Sequence, residues 1–157
     1  MGTEIERKFL VTGDEWRTMA SGVWYYQGYL CLKKKGTVRV RIAGDQAFLT
    51  IKGKSSGISR MEYEYPIPLA DARVMLTQLC GQPIIEKKRY KIIYQGFIWE
   101  VDEFFGDNAG LLVAEIELEA EEQVFVKPAW IGEEVSFDNR YGNASLVRNP
   151  YSAWKSR

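Results

Sequence analysis

Residues Thr3–Val11, TEIERKFLV, place Glu4, Glu6 and Lys8 at every second position, with Ile5, Arg7 and Phe9 between them. In an extended chain alternate side chains share a face, so two carboxylates and an ammonium point the same way. The pattern recurs along the sequence. Arg39 and Arg41 alternate with Val38, Val40 and Ile42, and Thr50, Lys52 and Lys54 follow in LTIKGK. Arg60, Glu62 and Glu64 alternate in SRMEYEY, Lys87 and Arg89 in EKKRY, Glu100 and Asp102 in WEVDEF, and Glu115, Glu117 and Glu119 in VAEIELE. Guanidinium forks and lysine ammoniums suit phosphate oxygens. Clustered carboxylates without thiol or imidazole partners suit a hard divalent cation such as Mg²⁺ or Mn²⁺.

The elements that must carry these residues are strands. Period-2 patterning predicts them over 3–11, 23–32, 37–43, 46–53, 58–67, 84–94, 97–104 and 111–119, with Gly-, Asn- and Ser-bearing turns between several of them. One amphipathic helix is expected after Pro68 and before Gly81, and weaker helical stretches at 13–20, 119–127 and beyond Asn143. A wet-faced antiparallel sheet is the ordinary explanation of such alternation. Here, however, nearly every outward slot is ionised and the signs are segregated. The third, fourth and sixth strands are basic, the seventh and eighth acidic, the first and fifth mixed. Like charges two apart on a strand repel, and a ligand of opposite sign offsets that repulsion. A sheet curled with its charged face inward gives a tunnel with a cationic and an anionic wall, and eight strands can enclose one small ligand.

Composition narrows the chemistry. The chain has 157 residues, 46% hydrophobic and 27% charged, with 21 basic and 21 acidic side chains. A single soluble domain over 1–157 is expected. Zero net charge argues against a nucleic-acid partner, whose capture rests on a basic surface. There is no histidine, which removes Ser-His and Cys-His nucleophiles and histidine-bound zinc. Cys31 and Cys80 read as free thiols. No apolar run reaches a membrane span and no leader pattern opens the chain, so a cytoplasmic protein is expected.

The ordered set Glu4-x-Glu6-x-Lys8, Arg39-x-Arg41, Lys52, Lys87-x-Arg89, Glu100-x-Asp102 and Glu115-x-Glu117, with SRMEYE and the late RYGNASL, resembles the CYTH superfamily of triphosphate tunnel metalloenzymes. The resemblance covers nearly the whole chain. It implies a mainly β, eight-stranded antiparallel closed barrel with a few flanking helices, binding triphosphate with Mg²⁺ or Mn²⁺. It is nearest to the short bacterial members that hydrolyse inorganic tripolyphosphate. Thiamine- and nucleoside-triphosphatases, class IV adenylate cyclases and non-catalytic polyphosphate sensors are the alternatives. The cyclase branch carries a histidine-containing element near its start that this chain lacks.

On this reading Lys8, Arg39, Arg41, Lys52, Lys54, Arg60, Lys87 and Arg89 bind phosphate. Glu4, Glu6, Glu62, Glu64, Glu100, Asp102, Glu115 and Glu117 hold metal, with Glu115 and Glu117 as the direct ligands. Lys8, Lys87 and Arg41 are the catalytic candidates, and a lysine base needs a lowered pKa. Lys88 points away from the site to solvent. Trp16, Trp24, Trp99, Tyr63 and Tyr65 are expected to pack rather than to stack on a base, and no aromatic is expected on the charged face. The apolar outward positions need covering by helices or a second chain, which points to a homodimer.

Overall fold

The computed structural model describes residues 2–154. Strands β1 (Thr3–Val11), β2 (Val23–Lys33), β3 (Gly36–Ala43), β4 (Gln46–Gly53), β5 (Ser59–Ile67), β6 (Ile85–Tyr94), β7 (Phe97–Phe104), β8 (Leu112–Glu117) and β9 (Ile131–Glu134) form one sheet in the order β5-β4-β3-β2-β6-β7-β8-β1-β9. A further pairing of β5 with β1 (Thr3↔Met61, Glu4↔Arg60, Ile5↔Ser59) closes the first eight into a ring. Every pairing is antiparallel. Three of the predicted strand ranges match to the residue and the other five within two at either end. The short β9 is an addition, laid on β1 across an irregularity between Phe9 and Val11.

Tight hairpins keep successive strands adjacent. Between β6 and β7 both turn residues, Gln95 and Gly96, have positive φ (50° and 80°), as the type I′ turn requires. A different constraint acts at Gly28 on β2. A Cβ there would lie 2.9 Å from the Cys80 Cβ, so glycine lets the end of helix α1 (Leu69–Gln78) approach the strand.

The apolar faces of the strands point out of the ring, and the core lies on its outside in separate clusters. Phe9, Trp99, Val101, Ala114 and Ile116 on β1, β7 and β8 are covered by Trp16 and Trp130. Ala72, Leu76 and Cys80 cover Val40, Ile42 and Ala47. A third cluster, with Ile85, Phe104 and Val113, closes against Tyr141, Leu146 and Trp154 from helix α2 (Asn143–Arg148) and the segments around it.

Three expectations are corrected. Residues 119–127 form no helix: the Glu119 N–H donates to Gln123 Oε1 at 2.7 Å in a tight turn, after which Phe125 packs edge-on to Phe9 and Trp99. The stretch at 13–20 is one 3₁₀ turn, Glu15–Thr18. Tyr63 and Tyr65 do not pack: with Met61 they stand on the outer face of β5, 47%, 53% and 58% exposed. No helix among the described residues is long and apolar enough to cross a membrane.

Phe9→Ala, at a fully buried position in the largest aromatic cluster, should lower the unfolding free energy by about 3–5 kcal/mol. Ile93→Ala, at a 77% exposed site, should change it by no more than about 0.5 kcal/mol. Urea unfolding midpoints check both.

Candidate active site

Because outward residues are apolar, the alternate residues of every strand are turned into the ring. They enclose a cavity of about 1030 Å³. Glu4, Glu6, Lys8, Arg39, Arg41, Lys52, Lys54, Arg60, Glu62, Glu64, Arg89, Glu100, Glu115 and Glu117 all line it. The ring order groups them: β4, β3 and β6 bring the basic residues together on either side of β2, while β7, β8, β1 and β5 bring the acidic ones together. Lys8 and Arg60 are the cations within the acidic arc. Two of the predicted residues, Lys87 and Asp102, do not line the open cavity but sit in the wall behind it, 0% and 1% exposed. Alternation gives the face of a side chain, not its depth.

The walls meet in ion pairs. Asp102 accepts from Lys87 Nζ (2.7 Å) and, in a fork, from Arg89 Nε (2.7 Å) and Nη2 (2.8 Å). Burial opposes the charge of Asp102, but Arg89 and Lys87 outweigh it and hold the carboxyl below its usual range. Lys8 Nζ donates to Glu115 Oε2 at 2.9 Å and Glu6 Oε1 at 3.2 Å, and Lys52 Nζ to Glu4 Oε1 at 3.1 Å. Arg39 Nη2 reaches Thr50 Oγ1 at 3.1 Å and Glu64 Oε2 at 3.4 Å, while its buried Nε has no acceptor among the described residues.

A chain of neutral links joins the buried lysine to the cavity. Asn143 Oδ1 accepts from Lys87 Nζ (2.9 Å) and from Gln27 Nε2 (3.0 Å), and Gln27 Oε1 accepts from Arg41 Nε (2.9 Å). Gln27 carries no charge, so it stood outside the pattern of ionised positions; Asn143 was visible only as part of RYGNASL. Tyr25, Tyr29 and Phe48 also line the cavity, correcting the expectation of a charged face free of aromatics. The ring of Tyr25 is taken up by the guanidiniums of Arg41 and Arg89, each 5.0 Å from its centroid. Lys88, expected in solvent, is half-buried with its ammonium 5.1 Å from the ring centre of Trp24.

Electrostatics separate the three catalytic candidates. Burial lowers Lys87 to about 7, reinforced by Arg89 and Arg41 against the pull of Asp102. Burial also disfavours the ammonium of Lys8, but Glu115 and Glu6 overcome it and raise its pKa. Burial, Arg39 and Arg89 bring Arg41 down to about 10, still cationic at neutral pH.

In the acidic arc, burial and then Glu115 raise Glu6. Burial followed by Glu4, Glu62, Glu100 and Glu6 raises Glu117, which forms no ion pair among the described residues. Carboxylates that crowd one another in this way are the donor chemistry of a hard divalent cation, and the residues fit one in kind. They are not pre-assembled: among the described residues no three acidic side chains stand close enough to enclose an ion. Glu115 is committed to Lys8 and Arg89, and Asp102 to Lys87 and Arg89, which leaves Glu117 as the freer of the two expected direct ligands.

Two substitutions should move stability in opposite directions. Asp102→Asn strands the buried Arg89 guanidinium and removes the charge that keeps Lys87 protonated, and should cost about 3–5 kcal/mol. Glu117→Gln should raise the melting temperature at neutral pH. Its folded pKa is raised, so the ionised side chain opposes folding, and stability is lost as pH climbs from the ordinary carboxylate value through the raised one. Thermal unfolding of the variant should therefore lack that loss.

The family model for the CYTH domain matches residues 2–149. An inorganic triphosphatase of Acetivibrio thermocellus is 56% identical over 155 residues, 99% of each chain. An inorganic triphosphatase of Nitrosomonas europaea is 37% identical over 153 residues, covering 92% of this chain and 97% of its own. The solved structure of the inorganic triphosphatase NE1496 superposes with a TM-score of 0.66 at 34% identity, over 91% of this chain and 96% of that one. A conserved protein from Pyrococcus furiosus, at 18% identity, 76% and 80% coverage and a TM-score of 0.56, shares the fold alone. The closed ring of strands, the charged lining and the sequence itself agree: the chain belongs to the CYTH domain family.

Proposed function

We propose that the protein is a metal-dependent hydrolase that cleaves inorganic tripolyphosphate to pyrophosphate and phosphate inside the ring. The observation that carries this reading is the basic arc, in which Arg39, Arg41, Lys52 and Arg89 converge on one cavity and Arg39 keeps an unsatisfied buried N–H donor. A polyanion with oxygens along its length is the ligand such a wall complements. The names of the 56% and 37% identical relatives agree with it.

In this mechanism Arg39, Arg41, Lys52 and Arg89 hold the phosphate chain in line, with Lys8, Lys54 and Arg60 completing its neutralisation. Water attacks a terminal phosphorus, the bridging P–O bond breaks with its electron pair on the leaving pyrophosphate oxygen, and the water's proton leaves with the products, pyrophosphate and phosphate. Arg39, Lys52 and Arg89, fixed by carboxylate partners, and Arg41, held by Gln27, stabilise the developing charge with little reorganisation. Glu4, Glu6, Glu62, Glu64, Glu100, Glu115 and Glu117 would hold Mg²⁺ or Mn²⁺, which when bound neutralises phosphate charge and polarises the phosphoryl group. Lys87, rather than Lys8, is the amine able to lose a proton near neutral pH, and Asn143 and Gln27 tie it to Arg41. The working form is a single cytoplasmic domain over 1–157, as a homodimer that covers the outer face of β5; its mass in solution decides the assembly.

Phosphate release from tripolyphosphate, ATP and thiamine triphosphate, with and without Mg²⁺ or Mn²⁺, tests the assignment. Tripolyphosphate should exceed ATP in kcat/KM by at least about tenfold, about 1.4 kcal/mol of transition-state preference, and chelation should abolish turnover. Glu117→Gln should remove most turnover with the fold intact. If ATP is the better substrate, Tyr29 or Phe48 reads the base and the assignment fails.

Lys87 touches no cavity atom, so it acts as a positioning residue through Asn143, Gln27 and Arg41; kcat of the native enzyme should rise as pH passes about 7, where Lys87 loses its proton, and level off above. A profile flat from roughly pH 6 to 9 denies Lys87 that role.

A further inference from the structure

Residues lining the cavity are exposed at both ends of the ring, Glu64 and Lys91 at one and Lys34 and Lys54 at the other, and these two mouths are unlike in charge. All neighbours in the ring are antiparallel, so β1, β2, β4 and β7 begin at the end where β3, β5, β6 and β8 finish. Towards that end the lining carries Glu64, Glu100 and Glu117, with Lys91 tied to Glu100 at 3.8 Å, and Asp45 sits on the β3–β4 turn. Towards the opposite end it carries Lys34, Lys54 and Arg60, and Lys33 and Lys35 stand on the same exposed β2–β3 hairpin as Lys34.

Most cations deeper in the ring are committed to carboxylates. Those at the second mouth are not. Lys34 and Lys54 form no ion pair among the described residues, and Arg60 spends its guanidinium on the Gly53 carbonyl at 2.7 and 3.0 Å. The acid of that mouth, Asp138, is already neutralised by Arg140 at 2.7 Å. A cleft lined by one sign of charge between low-dielectric walls focuses the field and raises the local concentration of its counter-ion. The acids of the first mouth present a polyanion with like charge until a cation neutralises them, whereas the second mouth is basic with or without metal.

Building on the function proposed above, we infer that the anionic phosphate chain enters through the lysine-bearing mouth, guided by Lys34 and Lys35 on the β2–β3 hairpin. Lys34 stands at the rim of the cavity and Lys35 beside it on the hairpin, and neither is among the residues that hold the phosphate chain in the mechanism above. They act on capture and not on the chemical step.

The test is kcat/KM for tripolyphosphate against ionic strength in three full-length proteins: native, Lys34→Gln/Lys35→Gln, and Lys91→Gln. At ~0.01 M ionic strength, where the screening length is about 30 Å, the double variant should fall in kcat/KM by a factor of about three to ten, with kcat unchanged. The gap should close towards ~1 M, where that length is about 3 Å. Lys91→Gln removes a positive charge at the other mouth and should keep the native slope. Equal slopes for the native and double-variant proteins overturn the mouth assignment alone, as does a loss confined to Lys91→Gln. Absence of turnover on tripolyphosphate by the native protein overturns the function and this inference together.

Discussion

Opposite charges meeting across neighbouring strands are what allow this ring to exist. A face of guanidiniums, ammoniums and carboxylates turned inward is costly to desolvate, and a buried ion offsets that cost only when it is both paired and hydrogen-bonded. Asp102 is the clearest case, bridging Lys87 and Arg89 with three short bonds in a wall that solvent does not reach. Lys8 between Glu6 and Glu115, and Lys52 beside Glu4, repeat the device elsewhere. The ring order makes it workable: strands of one sign lie together, and ion pairs cluster along the seams.

The same arrangement divides the work among the charged residues. Those with complete partners form the walls, while those with incomplete ones are left open to a ligand. Arg39 keeps an open N–H and Glu117 sits among acids, whereas Lys87 is fully partnered and is pushed towards neutrality by burial beside two arginines. A bound polyanion and a divalent cation would relieve the first two at once. The site is stable because most of its charge is spent, and active because a little is not.

Much of this was legible in the sequence. Strand ranges followed from period-2 alternation because the outward faces are uniformly apolar and the inward ones almost uniformly ionised. Tyr25, Gln27 and Tyr29 carry no ionised signal, because β2 faces the cavity without a charge. Lys87 and Asp102 were placed on the right face but at the wrong depth, since depth depends on how strands tilt around the ring. The helix expected at 119–127 is absent because local apolar spacing is overridden there by the tertiary demand of Phe125 on the Phe9–Trp99 cluster. The four-residue β9 was too short to give a periodic signal.

Placing the apolar clusters outside the ring has a consequence for how such a protein changes over generations. In most enzymes a residue near the substrate also packs against the core, so altering specificity disturbs stability. Here Arg41 or Glu117, which form no ion pair among the described residues, can be exchanged without touching Phe9, Leu76 or Trp99, which hold the shell from the other side. The lining can change where a residue has no ion-pair partner, or together with that partner, while the shell stays under its own selection. A scaffold built in this way is evolvable: one architecture can pass among substrates that share a phosphate chain and differ in what is attached to it.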